Sequence, residues 1–277
     1  MQAFRDQVAA VTGAGSGMGR SLAVQLASFG CHVAIAYLDP EALAETANQV
    51  RANSSIRCTE HPLDVADRHA VTQFAADVVA AHGRVNLVFN NAGVSLTATV
   101  EQMTQEDFEW LMNINFWGVV FGTQAFLPHI KATGRGHIVN TSSVFGLIST
   151  PTQGAYHAAK FAVKGFTDTL RIELAGSGVG VSCVVPGGVR TNIVRGGRYR
   201  IASNHAPTKE QVAAIFERRA GLSSDAAALW ILRGVNKKKA RILVGWDAIG
   251  IAFLLRLFPV AYLRAIAWLA RRAEAAR

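Results

Sequence analysis

Cysteine is scarce in this chain. Only Cys31, Cys58 and Cys183 occur among its 277 residues, far apart and each in apolar sequence. No CxxC pair and no Cys/His cluster is present, so neither a disulfide framework nor a metal site is expected, and a reducing, cytoplasmic compartment fits. Long apolar runs are also missing. The most apolar stretch, residues 249–277, is interrupted at Arg256, Pro259 and Arg264, short of the roughly 18–20 residues that a membrane span needs. Residues 1–6 lead straight into a strand-like segment, so no cleavable signal is expected. The last third lacks acid: residues 190–277 hold 17 Lys/Arg against 5 Asp/Glu, whereas residues 1–189 hold 11 against 14. The net charge of +9 therefore belongs to the C-terminal third. It does not point to nucleic acid, because the Lys237-Lys238-Lys239 run is short and no nucleic-acid module accompanies it.

What is present is a compact, apolar chain with an α/β rhythm. Half the residues are apolar and 25 are glycine. Apolar runs that read as buried strands recur at residues 7–12, 33–37, 57–63, 85–89, 137–141, 180–185 and 241–244, with helical stretches between them. This alternation predicts a doubly wound, mostly parallel sheet with helices on both faces. Residues 1–248 form one catalytic domain on this reading, with residues 249–277 as a helical appendage. In such sheets ligands sit beyond the carboxyl ends of the strands, and the chemically suggestive residues fall at those ends.

The first group follows strand one: Thr12-Gly13-Ala14-Gly15-Ser16-Gly17-Met18-Gly19. Glycines let backbone approach a pyrophosphate, and a helix N-terminus offers it free N–H groups. The spacing is TGxxxGxG, with Met18 where the GxGxxG fingerprint has its last glycine. Asp64 and Val65 follow the third strand, where an acid can accept from an adenine amino group. Asn90-Asn91-Ala92-Gly93 follows the fourth, where an Asn pair can tie strands together; both groups are equally compatible with turn chemistry. Asn115, in an apolar helical stretch, has either a structural hydrogen bond or a water-holding role. Pro186, Gly187, Val189 and Thr191 form a turn at the same sheet edge. Tyr156 and Lys160 stand one helical turn apart on one face, so the ammonium can stabilise a phenolate and lower a pKa that is otherwise roughly 10. Ser143 could hold the same substrate oxygen.

In this order the motifs resemble the short-chain dehydrogenase/reductase family in its single-domain form, over Thr12 to Thr191. The resemblance implies hydride transfer between NAD or NADP and an alcohol or carbonyl carbon. It makes Tyr156 the acid/base, Lys160 the ribose-binding group that tunes it, Ser143 the polarising hydroxyl, and Asn115 the holder of a relay water. Thr191 and the Val189 backbone would hold the carboxamide, and a homodimer or homotetramer is implied. The family sets cofactor choice at the end of strand two, here Ala36-Tyr37-Leu38-Asp39. Tyr37 occupies the usual acidic position and Asp39 comes two residues later. No Lys or Arg stands at Ser16 or in residues 37–41 to meet a 2′-phosphate, which favours NAD.

Residues 192–222 correspond to a substrate lid and carry Arg195, Arg198 and Arg200, read either as a solvated basic loop or as an anion site. Thr208 and Gln211 predict a capped helix within it. As a single helix, residues 249–277 would gather Arg256, Arg264 and Arg271 on one side. The broad face of Leu, Phe, Ile and Trp268 that remains could pack on a second subunit or over the cleft, or lie in a membrane interface with the arginines meeting anionic lipid. A hydrophobic alcohol or ketone is the expected substrate. A small polyol or oxo-ester reductase, or a non-catalytic cofactor-binding regulator, is the alternative.

Overall fold

The computed structural model describes residues 1–52, 56–201 and 207–275. Its first half runs β1 (Val8–Thr12), α1 (Gly17–Ser28), β2 (His32–Tyr37), α2 (Pro40–Arg51), β3 (Cys58–Pro62), α3 (Arg68–His82) and β4 (Leu87–Asn90). The second half contains β5 (Leu96–Thr97), α4 (Gln105–Met112), a π-helical turn (Asn113–Trp117), α5 (Gly118–Ala132), β6 (Gly136–Thr141), a 3-10 turn (Val144–Gly146), α6 (Gly154–Glu173) and β7 (Val179–Pro186). After them come β8 (Arg198–Tyr199), α7 (Lys209–Arg219), α8 (Ser224–Asn236), β9 (Arg241–Val244), α9 (Trp246–Leu257) and α10 (Ala261–Ala275). Seven strands make one sheet in the order β3-β2-β1-β4-β6-β7-β9, every pair parallel. The order reverses between β1 and β4, which opens a crevice above their carboxyl ends.

Alternation along β1 explains the two layers. Ala9 and Val11 face a core shared with Leu22 of α1, Leu43 of α2 and Ile231 of α8. Val8 and Ala10 face the opposite core, with Phe74 of α3, Phe126 of α5 and Leu170 of α6. Both faces of the central strands are thus dry, and those strands read as apolar runs for that reason, whereas the edge strand β3 is polar and only partly buried.

Three features depart from the sequence reading. The tail is not one helix: it breaks between α9 and α10 at Phe258–Val260, around Pro259, whose ring cannot continue a helix. Arg256 therefore does not share a helical face with Arg264 and Arg271. α9 also begins at Trp246, ahead of the boundary expected at residue 249. A small second sheet pairs β5 with β8 and fastens the start of the lid segment to the body. Residues 202–206 of that segment, and residues 276–277 of the tail, lie outside the described residues.

Candidate active site

The glycine loop closes onto the sheet through contacts that no larger residue could make. Gly13 and Gly17 have positive φ, at 69° and 51°. A Cβ on Gly13 would lie 2.8 Å from the Ala92 Cα, and one on Gly15 would overlap the Tyr37 ring. Ser16 is the N-cap of α1, but its side chain caps nothing, so the first N–H groups of α1 have no side-chain acceptor. Those donors face a cleft of about 600 Å³, within the range of small-molecule sites. Gly13, Gly15, Ser16, Gly17 and Met18 line it on one side, and Asp64, Val65, Asn91, Ala92 and Gly93 on the other. Thr191 also reaches it beside Gly17.

Local chemistry explains why the strand ends hold still. Thr12 Oγ1 accepts from the N–H groups of Asn91 and Ala92, each at 3.1 Å, and Asn91 Nδ2 donates to Thr12 O at 3.2 Å. Asn91 Oδ1 is buried and has no partner among the described residues. One β4 neighbour is tied to β6, since Asn90 Nδ2 donates to Asn140 Oδ1 at 2.8 Å. Asp64 spends Oδ1 on the Ala66 N–H at 2.9 Å and is exposed at the rim. A bare helix N-terminus, a glycine floor and an unpartnered buried amide oxygen fit a dinucleotide: donors for a pyrophosphate and closely approachable backbone for the rest.

Several expected cofactor residues stand behind the cleft wall. Gly19 is buried, and a Cβ there would collide with the Gly13 carbonyl, so it packs the loop. Asp39 accepts from the N–H groups of Glu41 and Ala42 as the N-cap of α2 and is not on the cleft lining. Pro186 ends β7, Gly187 donates to Val244 O at 2.9 Å, and Val189 is buried in the core. None of these three lines the cleft. Sequence reasoning also missed a cation. Arg20, on α1, lines the cleft, where its guanidinium donates to Glu45, to Thr46 Oγ1 and to the Gly15 carbonyl. Inspecting only Ser16 and the end of β2 could not find it.

At the far end of the cleft, Gly93 backs onto the Tyr156 group. A Cβ on Gly93 would lie 3.2 Å from Asn115 Oδ1 and 3.5 Å from Lys160 Nζ. Lys160 is buried, its Nζ donating to Thr141 O at 3.0 Å and standing 5.6 Å from the centre of the Tyr156 ring. Ser143 caps the 3-10 turn by accepting from the Phe145 N–H at 3.1 Å, and its hydroxyl also meets the Tyr156 phenol. Neighbouring Ser142 is different: it is buried and donates to Lys160 O at 2.8 Å. The side chain of Asn115 is consumed by Val94, accepting from its N–H at 2.8 Å and donating to its carbonyl at 2.9 Å. It sits in the π-helical turn, a form that recurs at functional sites. Of the two roles weighed for that side chain, the structure shows the hydrogen bond.

The electrostatics reverse one expectation. Burial pushes the Tyr156 phenol up to about 12, and the Ser143 hydroxyl draws it only partly back. Lys160 does not bring it down, because its ammonium lies under the ring and is bonded to Thr141. Burial lowers Lys160 itself to about 8. Arg195, Arg198 and Arg200 are each paired with a carboxylate, although Arg195 and Arg200 remain exposed to solvent. Arg198 and Arg200 both bond the buried carboxylate of Asp107, each at 2.8 Å, and Arg198 lies 4.0 Å over the Trp110 ring. Arg195 pairs with Glu217 at 2.7 Å. The Thr208–Gln211 capping box is present as expected.

A doubly wound sheet with a glycine loop at its switch point and a titratable dyad beside it defines an α/β oxidoreductase that takes a nucleotide cofactor. The family model for short chain dehydrogenases matches residues 7–199. The chain is 43% identical over 270 residues to SadH of Mycobacterium tuberculosis, designated an oxidoreductase, covering 96% of each. Among solved structures it resembles a short-chain dehydrogenase/reductase from Burkholderia phymatum in complex with NAD, at 33% identity and a TM-score of 0.82, over 93% of this chain and 95% of that one. It also resembles a carveol dehydrogenase from Mycobacterium avium with NAD, at 32% identity and a TM-score of 0.66, over 69% and 73% of the two chains. The protein belongs to the short-chain dehydrogenase family and is an NAD(P)-using oxidoreductase. Among the described residues no helix is long and apolar enough to cross a membrane, and no group of His, Cys, Asp and Glu could hold a metal ion.

Proposed function

We propose that this chain interconverts a secondary alcohol and a ketone with NAD, on a hydrophobic substrate. The observation that carries the reading is the convergence of Ser143, Tyr156 and Lys160 behind Gly93, which lines the cleft while those three side chains do not. Tyr156, held near 12, keeps its proton at neutral pH and can give it to a carbonyl oxygen during reduction. Ser143 fixes the oxygen that receives it. Lys160, mostly protonated at pH 7 and 5.6 Å from the ring, would bind the hydroxyls of the nicotinamide ribose. Val94 and Ile114 on the cleft wall, with Phe145 edge-on to Tyr156, favour an apolar substrate. The carveol dehydrogenase is itself named for an alcohol. Residues 192–222 serve as the lid on this reading.

The dinucleotide, when bound, supplies or accepts the hydride. Gly13, Gly15, Gly17 and the α1 N-terminus would hold its phosphates, and Asp64 the adenine. NAD rather than NADP is favoured by Arg20 and Glu45, since Arg20, the one cation lining the cleft among the described residues, is already neutralised by Glu45, and a 2′-phosphate would meet that carboxylate. Tyr156→Phe tests the mechanism. Turnover should fall by at least about a hundredfold over a panel of alcohols and ketones while NADH still binds. Wild-type turnover in that variant would remove Tyr156 from the reaction, and faster initial rates with NADPH than with NADH would overturn the cofactor assignment.

A further inference from the structure

The tail carries an apolar surface that the domain leaves uncovered. On α9, Ala248, Ile251 and Leu255 turn toward the body, where the helix packs on β9 and the 3-10 turn. The opposite stripe, at positions 246, 250, 253, 254 and 257, is apolar throughout: Trp246 is 80% exposed, Phe253 62% and Leu257 55%. α10 buries no residue among those described, and it adds exposed Leu263, Trp268 and Leu269. Such a surface in water marks a partner.

Charge narrows the choice of partner. Residues 248–272 contain Arg256, Arg264, Arg271 and Arg272 and no acid. Asp247, just before them, is engaged by the Gly188 N–H at 2.6 Å. On α10, Arg264 and Arg271 are seven residues apart and share a flank, while Tyr262, Ile266 and Leu269 lie on another side of the helix. Arg272 lies 4.2 Å over the Trp268 ring. A second copy docking symmetrically through this face would set four arginines against four, with Glu274, near the end of α10, as the only acidic residue after Asp247 in each. The cleft does not take the face either, since none of its lining residues comes from the tail.

We infer that α9 and α10 form a docking surface for an anionic phospholipid bilayer, lying in its interface. At 12 and 15 residues the helices are about 18 and 23 Å long, too short to span a hydrocarbon core of about 30 Å. Apolar residues with flanking arginines suit the boundary between headgroups and acyl chains. Trp246 and Trp268 are of the type that settles at that depth.

The test uses the full chain with vesicles of phosphatidylcholine alone and of phosphatidylcholine mixed equally with phosphatidylglycerol. The protein should sediment with the mixed vesicles and far less with the neutral ones, and brominated acyl chains should quench tryptophan fluorescence in wild type more than in Trp268→Phe. Arg264→Gln with Arg271→Gln should lower the partition coefficient about 25-fold, roughly fivefold per charge, with NADH binding unchanged. Equal binding to both vesicles, or none to either, overturns the proposal. So does a solution dimer that Leu254→Asp dissociates in the absence of lipid, because the face would then belong to a second copy.

Discussion

Ser142 and Ser143 are adjacent, yet the structure gives them separable roles. Ser142 is sealed in the interior with its hydroxyl on the Lys160 carbonyl at 2.8 Å. Ser142→Ala removes one buried hydrogen bond, which costs about 1–2 kcal/mol and should lower the melting midpoint by roughly 3–6 °C in a chain of this size. Turnover per folded molecule should change little. Ser143 is half-buried, faces the phenol and accepts one N–H at 3.1 Å. Ser143→Ala loses a local cap worth about 0.5–1 kcal/mol and, with it, the donor aimed at the reacting oxygen. Losing such a donor lowers turnover by about 10²–10³. Thermal melts and initial rates on both variants give four numbers that must form a crossed pattern, with Ser143→Thr recovering part of the rate. Equal rate losses in the two alanine variants would refute the division of labour. A Ser142→Ala enzyme of normal stability and no activity would reverse it.

Other outcomes follow from charges that the fold has confined. Lys160 has its pKa lowered to about 8, so between there and its unfolded value near 10.4 it holds fewer protons in the folded chain, and its contribution to stability should rise with pH by about 3 kcal/mol. Cys31, Cys58, Cys183 and Tyr156, whose pKa values burial raises, act in the opposite direction over the same range, so the test is a difference: from pH 7.5 to 10.5 the urea midpoint of Lys160→Met should fall relative to that of wild type, and parallel profiles would contradict it. Asp107→Asn should destabilise the lid attachment by about 1–3 kcal/mol, raise KM more than it lowers kcat, and hasten proteolysis within residues 192–222. The two arginines hold the Asp107 carboxyl below the usual range, with the Arg200 bond the larger cause, so this stabilisation is present above about pH 4 and lost as acid protonates the carboxyl. Glu45→Gln frees the Arg20 guanidinium and should tighten NADPH more than NADH in fluorescence titrations; equal changes would show that the pair does not read the ribose.

The parallel, doubly wound sheet with helices on both faces and the glycine loop were legible because each follows from local sequence. An unbroken apolar run between helical stretches can be buried only in a parallel sheet, and a glycine run after the first such strand places a helix N-terminus at its end. Spacing also puts Tyr156 and Lys160 on one helical face. What spacing could not supply is depth. The phenol rises toward 12 because the site is dry, and the lysine that should have lowered it is bonded to Thr141 instead. Similarly, the tail read as one helix on a periodicity argument that Pro259 interrupts.

A sharper division separates the site residues that sequence found from those it missed. Asn115 bonds both backbone groups of Val94, Lys160 bonds the Thr141 carbonyl, and Thr12 of the glycine motif binds the N–H groups of Asn91 and Ala92. Each partner is a main-chain atom, present whatever residue stands there, so one side chain at a fixed place in the motif suffices to make the contact. The contacts that escaped notice join two side chains. Asp107 meets Arg198 and Arg200 across more than 90 residues, and Arg20 meets Glu45 from the next helix. Either partner alone reads as an ordinary surface charge, and only the fold makes the pair. Residues 198–200 are held to the body by such a pair, and Arg20 is fixed at the cleft by another, so these contacts need two side chains to be kept together.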